Sequence, residues 1–374
     1  MSRESVPPRP TVGVRDIARR LGVSVGTVDR ALHDKPGIKA ETRARVLAEA
    51  KTLGYRPNLA ARDLVSRRQR QISVYLPEGP SFFWDTLRDG LREAAAPLAP
   101  SLRLVFRTYT PGWTLDGFLA RSGPDRVDSG LLVAPDEAMV TELQRHDLRK
   151  LDVPVACVAN DAPDSPPMPS VYVQPFTVGA LAGELMGRFV PGGGPVAIVT
   201  ASADSRTHLD QLRGFTSSLS MISARSRVVA IIETRADDRD TSRQLRDLLA
   251  AHPRLKGVYI STSAALPVLR ALGHVGKLAP LAVVATDLSS ELIPWIRSGM
   301  VAATVYQRPL TQGHMVLKLL HEYLQSKRLP TPHRQAVAPY AVMNSNLDLV
   351  LQRLAIARDS TASGDALQAE KTYA

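Results

Sequence analysis

Small and polar residues near the start of one short predicted helix have the types and the spacing that base recognition in DNA requires. The helix lies in the stretch Val23-Ser24-Val25-Gly26-Thr27-Val28-Asp29-Arg30-Ala31-Leu32. Val28 and Leu32 share one helical face, which is therefore predicted to pack inward. The outward face carries Val25, Gly26, Asp29 and Arg30. Such a helix can lie in the major groove, where its first residues meet the base edges.

A recognition helix needs a preceding helix that positions it. Residues 14–21 supply one, because their apolar residues follow the spacing of a single helical face. Those residues are Val14, Ile17, Ala18 and Leu21. Gly22 permits the positive φ of a tight turn, and the Ser24 hydroxyl can cap the second helix. An ordinary αα-hairpin inside a globular core is the alternative.

A third amphipathic helix is predicted from about Ala40 to Leu53. Its buried face is predicted to contain Val46, Leu47, Ala50 and Leu53. Three short helices of this kind can share one small apolar core. A helix-turn-helix domain is therefore favoured over a hairpin that belongs to a larger core.

The charge of the chain is segregated. Of the 374 residues, 47 are Lys or Arg and 36 are Asp or Glu. Residues 1–71 hold 16 Lys and Arg against 7 Asp and Glu, whereas the rest of the chain holds 31 against 29. A solvated basic face would explain the sign of this charge but not its confinement. Because clustered cations neutralise phosphates, the first domain is expected to bind nucleic acid.

Several short motifs at fixed spacing identify the family that residues 12–65 resemble. The motifs are Asp16-Ile17-Ala18, Gly22-Val23-Ser24, Thr27-Val28, Arg30, Thr42-Arg43, Arg45-Val46 and Gly54-Tyr55-Arg56-Pro57-Asn58. This stretch resembles the headpiece and hinge of the lactose-repressor family of bacterial transcriptional regulators. The resemblance implies an all-α helix-turn-helix headpiece, a hinge helix and a periplasmic-binding-protein-like core.

The resemblance also implies which residues contact DNA. In the headpiece they are Ser24, Val25, Gly26, Thr27, Asp29 and Arg30. Arg30 matches an arginine that reaches a guanine, whereas Asp29 departs from the serine that is usual in the family. In the hinge they are Asn58, Ala61 and Leu64, and Leu64 matches a leucine that wedges between base steps in the minor groove. A plain linker is the alternative for the hinge.

From Gln71 onward, predicted strands alternate with predicted helices. The ten strands are 72–76, 102–109, 130–133, 153–158, 170–173, 196–200, 228–232, 257–260, 282–285 and 302–305. Such alternation predicts parallel sheets with right-handed crossovers, and ten strands are too many for one ordinary open sheet. We therefore predict two doubly wound α/β lobes. The resemblance implies three crossings between them, near Val173, Tyr306 and Ala338.

These patterns divide the chain into five predicted segments. They are a disordered leader at 1–10, a helix-turn-helix domain at 11–57, a hinge helix and linker at 58–70, a two-lobed ligand-binding and dimerisation core at 71–352, and a disordered tail at 353–374. Family dimers are two-fold symmetric and bind near-palindromic operators. We therefore expect a homodimer on double-stranded DNA.

A ligand is expected in the cleft between the lobes, because doubly wound sheets bind ligands at the carboxyl ends of their strands. The candidate residues are Ser81, Phe83, Trp84, Asp161, Arg206, Asp287 and Gln307. In sugar-binding relatives, aromatic rings in such a cleft stack on the sugar. Asp287 and Gln307 match the family pattern, and a carboxylate and an amide can each bind several hydroxyl groups. The two rings could instead begin a helix and pack in the core.

Three departures from the family pattern leave the identity of the ligand open, with a sugar as the leading expectation. Gln211 stands where the family usually carries an arginine, and Arg206 could replace that guanidinium. Ser261-Thr262 stands in place of the usual Asn-Asp, and Gln174-Pro175 lacks an aspartate that is often present.

Three classes of function remain to be compared. An enzyme is disfavoured, because the chain has no G-x-S-x-G, P-loop or dinucleotide glycine motif. Neither a metal nor a cofactor is expected from its eight scattered histidines. A carbohydrate-binding module without a DNA role would leave the basic headpiece unused. We expect a ligand-responsive DNA-binding regulator, acting as a repressor of genes for the uptake or catabolism of a sugar or a related small molecule.

A cytoplasmic location is expected for this regulator. Met1–Pro10 contains no apolar signal-peptide core, and no stretch approaches the length of a membrane span. The one cysteine, Cys157, lies in an apolar predicted strand, so no intrachain disulfide framework is possible.

Overall fold

The computed structural model separates the chain into two compact units, Met1–Arg68 and Gln69–Ala374. The described residues are 13–32, 37–53, 70–78, 82–99, 101–110, 112–114, 117, 128–146, 153–201, 205–234, 238–262, 265–274 and 281–355. The predicted leader, the hinge residues 58–69 and the end of the tail at 356–374 lie outside them. Within the described residues, no helix is both long and apolar enough to cross a membrane.

The first unit contains the three predicted helices, α1 (Val14–Leu21), α2 (Val25–Leu32) and α3 (Ala40–Thr52). They enclose a small apolar core formed by Ile17, Ala18, Val28, Ala31, Val46 and Ala50. The predicted burial of Leu47 was wrong, because its side chain is 47% exposed. The inner face of α3 runs through Val46 and Ala50, four residues apart, and Leu47 lies beside that face.

The turn between α1 and α2 forms as the sequence predicts. Gly22 adopts a left-handed conformation with φ of 66°, and its N–H bonds back to the carbonyl of Arg19. Ser24 then begins α2 by accepting a hydrogen bond from the Thr27 N–H at 3.1 Å. A third contact joins α1 to α3, since Arg20 Nε lies 3.1 Å from Glu49 Oε1.

The second unit is built on twelve strands in its described part. They are β1 (Arg70–Pro77), β2 (Leu102–Tyr109), β3 (Asp128–Val133), β4 (Val155–Ala159), β5 (Ser170–Tyr172), β6 (Pro195–Thr200), β7 (Arg227–Glu233), β8 (Gly257–Ser261), β9 (Ala282–Thr286), β10 (Ala303–Tyr306), β11 (Arg334–Ala336) and β12 (Tyr340–Val342). All ten predicted strands are present. The last two were not predicted.

The strands form two six-stranded sheets, one in each lobe. The first lobe has the order β11-β5-β4-β3-β1-β2, and the second has the order β12-β10-β9-β8-β6-β7. Neighbouring strands are parallel except β10 and β12, which pair antiparallel. Two doubly wound lobes are therefore confirmed.

Helices cover the faces of both sheets. The described helices are α4 (Phe82–Ala95), α5 (Glu137–Arg145), α6 (Pro175–Phe189), α7 (Arg206–Ile222), α8 (Asp238–Ala251), α9 (Ala265–His274), α10 (Ile293–Arg297), α11 (Pro309–Ser326) and α12 (344–355). Buried apolar side chains beneath them form the lobe cores. Cys157 is buried in β4 and is a free thiol.

The chain passes between the two sheets three times. It leaves the first sheet after β5, returns between β10 and α11, and leaves again between β11 and β12. Glycines fix α11 on the first lobe, because a Cβ at Gly90 of α4 would lie only 2.2 Å from the carbonyl oxygen of Leu310. The backbones of α4 and α11 therefore touch directly, and the residues between β10 and α11 join the lobes.

Helix α12 joins the core at the end of the described chain. Leu347, Val350 and Leu354 pack in the core of the second lobe. The predicted end of the core at residue 352 therefore falls inside this helix, which continues to residue 355 because Leu354 is still buried.

Candidate functional site

The recognition helix α2 presents one face to solvent. Val28 and Ala31 are buried in the headpiece core. The opposite side carries Ser24, Val25, Gly26 and Arg30, with Thr27 and Asp29 partly exposed. All six predicted base or phosphate contacts of the headpiece therefore lie on or beside one accessible surface.

Two hydroxyl groups organise the first turn of this helix. The Ser24 Oγ atom accepts the Thr27 N–H and lies 2.9 Å from Thr27 Oγ1. A helix N-terminus favours an anion, because its first N–H groups point outward and its dipole is positive. Ser24 and Thr27 are therefore suited to a phosphate, whereas Arg30, one turn further on, has the reach for a base edge.

Four of the predicted site residues lie outside the described residues. They are Asn58, Ala61 and Leu64 of the hinge, and Ser81 of the loop after β1. The predicted minor-groove wedge and the first residue of the aromatic loop therefore stay predictions.

Asp287 and Gln307 meet at the carboxyl ends of two neighbouring strands in the second lobe. Gln307 Nε2 donates a hydrogen bond of 2.9 Å to Asp287 Oδ2. The backbone of Asp287 is left-handed, with φ of 64°, and its N–H donates to the carbonyl of Val305. Gln312 in turn donates to the Gln307 carbonyl at 2.8 Å. The carboxylate and the amide are thus held in place without a ligand.

The second oxygen of Asp287 is the most distinctive atom of the cleft. Burial raises the pKa of Asp287 to about 7, although the hydrogen bonds from Gln307 lower it. Its Oδ1 atom is buried and has no hydrogen-bond partner among the described residues. A buried carboxylate oxygen without a partner is costly, so a ligand hydroxyl that donates to it would stabilise the charged form.

Asp161, another predicted ligand contact, forms an ion pair within the first lobe, and its role in ligand binding stays a prediction. Its Oδ2 atom forms an ion pair with Arg334 at the start of β11. The Arg334 guanidinium also lies 5.9 Å from the centroid of the Tyr172 ring. Burial lowers the pKa of Arg334, but the contacts with Asp161 outweigh it and raise that pKa. A ligand that binds the Asp161 carboxylate would therefore share that carboxylate with Arg334.

The two predicted stacking rings are packed together. Phe83 and Trp84 make an edge-to-face contact, with their centroids 4.8 Å apart. Both are partly buried against the core of the first lobe. This packing corresponds to the alternative in which the rings begin a helix. Phe82, which was not among the candidates, packs against the core of the second lobe.

A contact across the cleft joins the first turns of α5 and α7. The backbone N–H of Arg206 in the second lobe donates to the Glu137 carboxylate in the first lobe. Burial lowers the pKa of the nearby His208, and the charge of Glu137, which raises that pKa, offsets this effect only in part. Sequence reasoning found Arg206 but missed Glu137, because nothing in the local sequence links residues 69 positions apart.

Two of the positions that depart from the family pattern, Gln211 and Ser261, contact each other. Ser261 Oγ donates to Gln211 Oε1 at 2.5 Å, and both residues are buried. Beside them, the Tyr259 hydroxyl and Thr286 Oγ1 are 2.8 Å apart. This wall of the cleft is therefore neutral and internally hydrogen-bonded.

Comparisons with known families agree with this division of the chain. The profile of the periplasmic binding protein domain matches residues 125–328, and that of the bacterial regulatory proteins of the lacI family matches residues 14–58. The chain is 30% identical to catabolite control protein A of Priestia megaterium over 149 residues, which are 40% of this chain and 44% of that protein. It is 37% identical over 82 residues to the transcriptional regulator RegA of Clostridium saccharobutylicum, covering 22% and 25% of the two chains.

Solved structures resemble the second unit in fold. A glucose-galactose binding protein of Geobacillus stearothermophilus, GanP, superposes with a TM-score of 0.64 at 21% identity, over 75% of this chain and 99% of that one. The arabinose binding protein AraP of the same organism gives a TM-score of 0.63 at 17% identity, over 75% and 98%. At this identity the likeness shows the fold.

The chain spans less than half the length of the curated relatives that it matches.

Proposed function

Because this chain belongs to the periplasmic binding protein domain family and carries the helix-turn-helix domain of the lacI regulators, we propose that it is a ligand-responsive transcriptional regulator. It binds a specific operator and represses genes for the uptake or catabolism of a sugar or a related small molecule. It has no catalytic role, and it acts in the cytoplasm. The main observation that supports this proposal is the recognition helix α2. Its Arg30 is exposed to solvent, whereas its Val28 is buried in the headpiece core.

The headpiece supports a division of labour in DNA binding. Phosphate contacts fix the orientation of a protein on the duplex, and base contacts supply its specificity. Ser24 and Thr27 stand at the positive end of α2 and bind phosphate. Arg30 donates two hydrogen bonds to a guanine edge, and Val25 contacts a thymine methyl group. The Asp29 carboxylate would repel phosphate unless it accepts a hydrogen bond from a cytosine amine or pairs with an arginine.

A homodimer is the assembly that this function needs, since one headpiece reads only half of a near-palindromic operator. Among the described strands, β7 is an edge strand of the second sheet, and its Ile231 is 49% exposed. At the end of the preceding helix, Met221 and Ile222 are also exposed. Apolar side chains beside an unpaired strand edge are suited to contact with a second copy of the core.

A sugar fits the cleft because the donors that it offers are hydroxyl groups. The Asp287 Oδ1 atom has no partner in the part of the chain that the structure describes, and Gln307 is already oriented beside it. The names of the structural neighbours GanP and AraP state glucose, galactose and arabinose as ligands. We assign Asp287 and Gln307 as the principal hydroxyl-binding pair, with Arg206 at the rim. Because Phe83 and Trp84 are partly buried against the first-lobe core, only their remaining surface can contact the sugar.

Ligand binding would act on DNA through the angle between the lobes. The Arg206 N–H donates to Glu137 across the cleft, and a ligand that contacts both lobes would favour the closed cleft. Closure rotates the first lobe, whose strand β1 follows the hinge segment 58–70, and separates the two hinge helices of a dimer. Each is too short to persist alone, so a small displacement melts it and withdraws Leu64 from the minor groove.

The test of the proposal is DNA binding by the full-length protein. Genomic footprinting identifies the operator, and gel shifts then compare wild type with Arg30→Ala and with Lys51→Ala, which removes an exposed cation from α3. Arg30→Ala should weaken specific binding by about 1–3 kcal/mol and relax the preference at one base pair. Lys51→Ala should leave that preference unchanged.

Two results would contradict the proposal. If Arg30→Ala weakened binding to operator and to random DNA by the same factor, Arg30 would be a phosphate contact and not a base contact. Absence of any footprint, together with sugar binding by the isolated protein, would favour the alternative of a carbohydrate-binding module without a DNA role.

A further inference from the structure

A cavity of about 360 Å³ lies where the two lobes are joined, and neither Asp287 nor Gln307 is among its lining residues. Its lining residues are Tyr306, Arg308, Leu310, Thr311, His314, Tyr340, Val350, Arg353 and Leu354. We term it the hinge cavity, because residues 306–308 and Tyr340 flank two of the three crossings between the lobes. Its volume falls within the range of small-molecule sites.

The charge that faces the hinge cavity is positive. Arg353 donates to both carboxylate oxygens of Glu93 at 3.0 Å, and His314 Nε2 lies 2.9 Å from Glu93 Oε2. Burial raises the pKa of Glu93, but these two partners outweigh it and lower the pKa, so the carboxylate stays ionised. Glu93 therefore balances Arg353 and leaves the second arginine uncompensated.

That second arginine, Arg308, has no carboxylate partner among the residues that the structure describes. Its guanidinium lies 5.5 Å from the centroid of the Tyr340 ring, and its one hydrogen bond, to the carbonyl of Ala338, is long at 3.4 Å. Arg308 also holds a left-handed backbone with φ of 58°. A planar guanidinium with unused donors can bind a carboxylate through two parallel hydrogen bonds.

The rest of the wall is apolar or aromatic. Leu310, Val350 and Leu354 form the aliphatic side, and the Tyr306 and Tyr340 rings meet edge to face with centroids 5.6 Å apart. A bare inorganic anion would leave this wall without contacts. A compact organic acid would place its apolar body there and its carboxylate on Arg308.

We propose that the hinge cavity is a second ligand site, which takes a small organic acid with an apolar body. The site is distinct from the cleft and requires neither a sugar nor DNA. It also joins the two lobes: Thr311 and His314 belong to α11, whose backbone touches α4 of the first lobe at Gly90, while the side chains of Leu310, Val350 and Leu354 pack in the core of the second lobe. A ligand there contacts both sides of the pivot, so its affinity depends on the angle between the lobes and is coupled to cleft closure.

Isothermal titration of the full-length protein tests the site, with benzoate as the probe. Benzamide, which has the same shape without the charge, and inorganic phosphate, which has charge without an apolar body, are the matched ligands. Benzoate should bind at least about tenfold more tightly than either, because charge-assisted and apolar contacts are both needed. Equal binding of benzoate and benzamide, or of benzoate and phosphate, would overturn the proposal.

Variants locate the site. Arg308→Gln should weaken benzoate binding at least about tenfold, and Thr311→Tyr should block it by filling the cavity from α11. Arg297→Gln removes an exposed arginine that pairs with Asp348 outside the cavity and should change benzoate affinity less than about twofold. Asp287→Asn should also leave it unchanged. Benzoate binding that survives in both cavity variants, or that is lost only in Asp287→Asn, would overturn the assignment.

Coupling to the pivot has its own measurement. Saturating benzoate should slow amide hydrogen exchange in the crossing at residues 337–340, and this slowing should disappear in Arg308→Gln. Benzoate binding without any change in exchange at this crossing would overturn the coupling. Because no step uses DNA, failure of the proposed regulatory function would leave these results unaffected.

Discussion

Replacing Asp287 with Asn should make the second unit more stable above neutral pH. Burial raises the pKa of Asp287 from 3.8 to about 7 against the opposing hydrogen bonds from Gln307. The folded protein therefore holds this proton more tightly than the unfolded chain does. The stability that Asp287 contributes is complete below pH 3.8 and is lost as the pH rises through 7.

The structure sets the size of this effect. The difference between a pKa of 3.8 and one of about 7 corresponds to about 4 kcal/mol of unfolding free energy. This value is an upper limit, because water at the unpartnered Oδ1 atom would stabilise the ionised carboxylate. Asn cannot ionise, yet its side-chain oxygen can still accept the hydrogen bond from Gln307 Nε2.

Scanning calorimetry between pH 5 and 8 provides the assay. As the pH rises from 5 to 8, the melting temperature of wild type should fall relative to that of Asp287→Asn by roughly 5–10 °C. Asp348→Asn is the matched control, because its carboxylate is 76% exposed and should leave the pH profile of wild type unchanged. Parallel profiles for wild type and Asp287→Asn would refute the reasoning, since the carboxylate would then be fully solvated.

Three further predictions concern DNA binding, helix packing and the ligand response. Leu64→Ser should lower operator affinity in gel shifts while sedimentation still shows a dimer; a monomer at micromolar wild-type concentration would contradict the assembly. Gly90→Ala should destabilise the protein by a few kcal/mol in urea unfolding, because its Cβ would clash with the Leu310 carbonyl, whereas Gly273→Ala, with open space around it, should stabilise α9 by up to about 1 kcal/mol. Asp287→Ala should abolish the effect of the cognate ligand on operator affinity and leave ligand-free affinity nearly unchanged; an unchanged response would remove Asp287 from the pocket.

Strong local patterns predicted most of the fold. Buried parallel strands are mostly apolar runs, so ten of the twelve described strands were found from their composition. Strands β11 and β12 are only three residues long and carry Arg334 and Tyr340 on exposed edges. They exist because β5 and β10 offer them a partner, which no local pattern records.

The site was predicted less completely, because it depends on contacts between distant segments. Asp287 and Gln307 were found because each directly follows a strand of the same sheet. Glu137 was missed, although it meets the predicted Arg206 across the cleft. Arg334 was missed as well, since its ion pair with Asp161 joins residues 173 positions apart. Folding creates these pairs, and the sequence of either partner alone does not indicate them.

The departures at Gln211 and Ser261 are best understood as one change. A buried guanidinium requires compensating partners, so the loss of an arginine at position 211 removes that requirement and lets Gln211 pair with Ser261, which stands at the position of the family's asparagine. Here the two positions form a neutral hydrogen bond of 2.5 Å within the wall of the cleft. Restoring an arginine at residue 211 alone would bury a charge without a partner. This wall of the cleft therefore offers no charge of its own, and the Asp287 Oδ1 atom, which has no partner among the described residues, should determine which hydroxyl compounds bind.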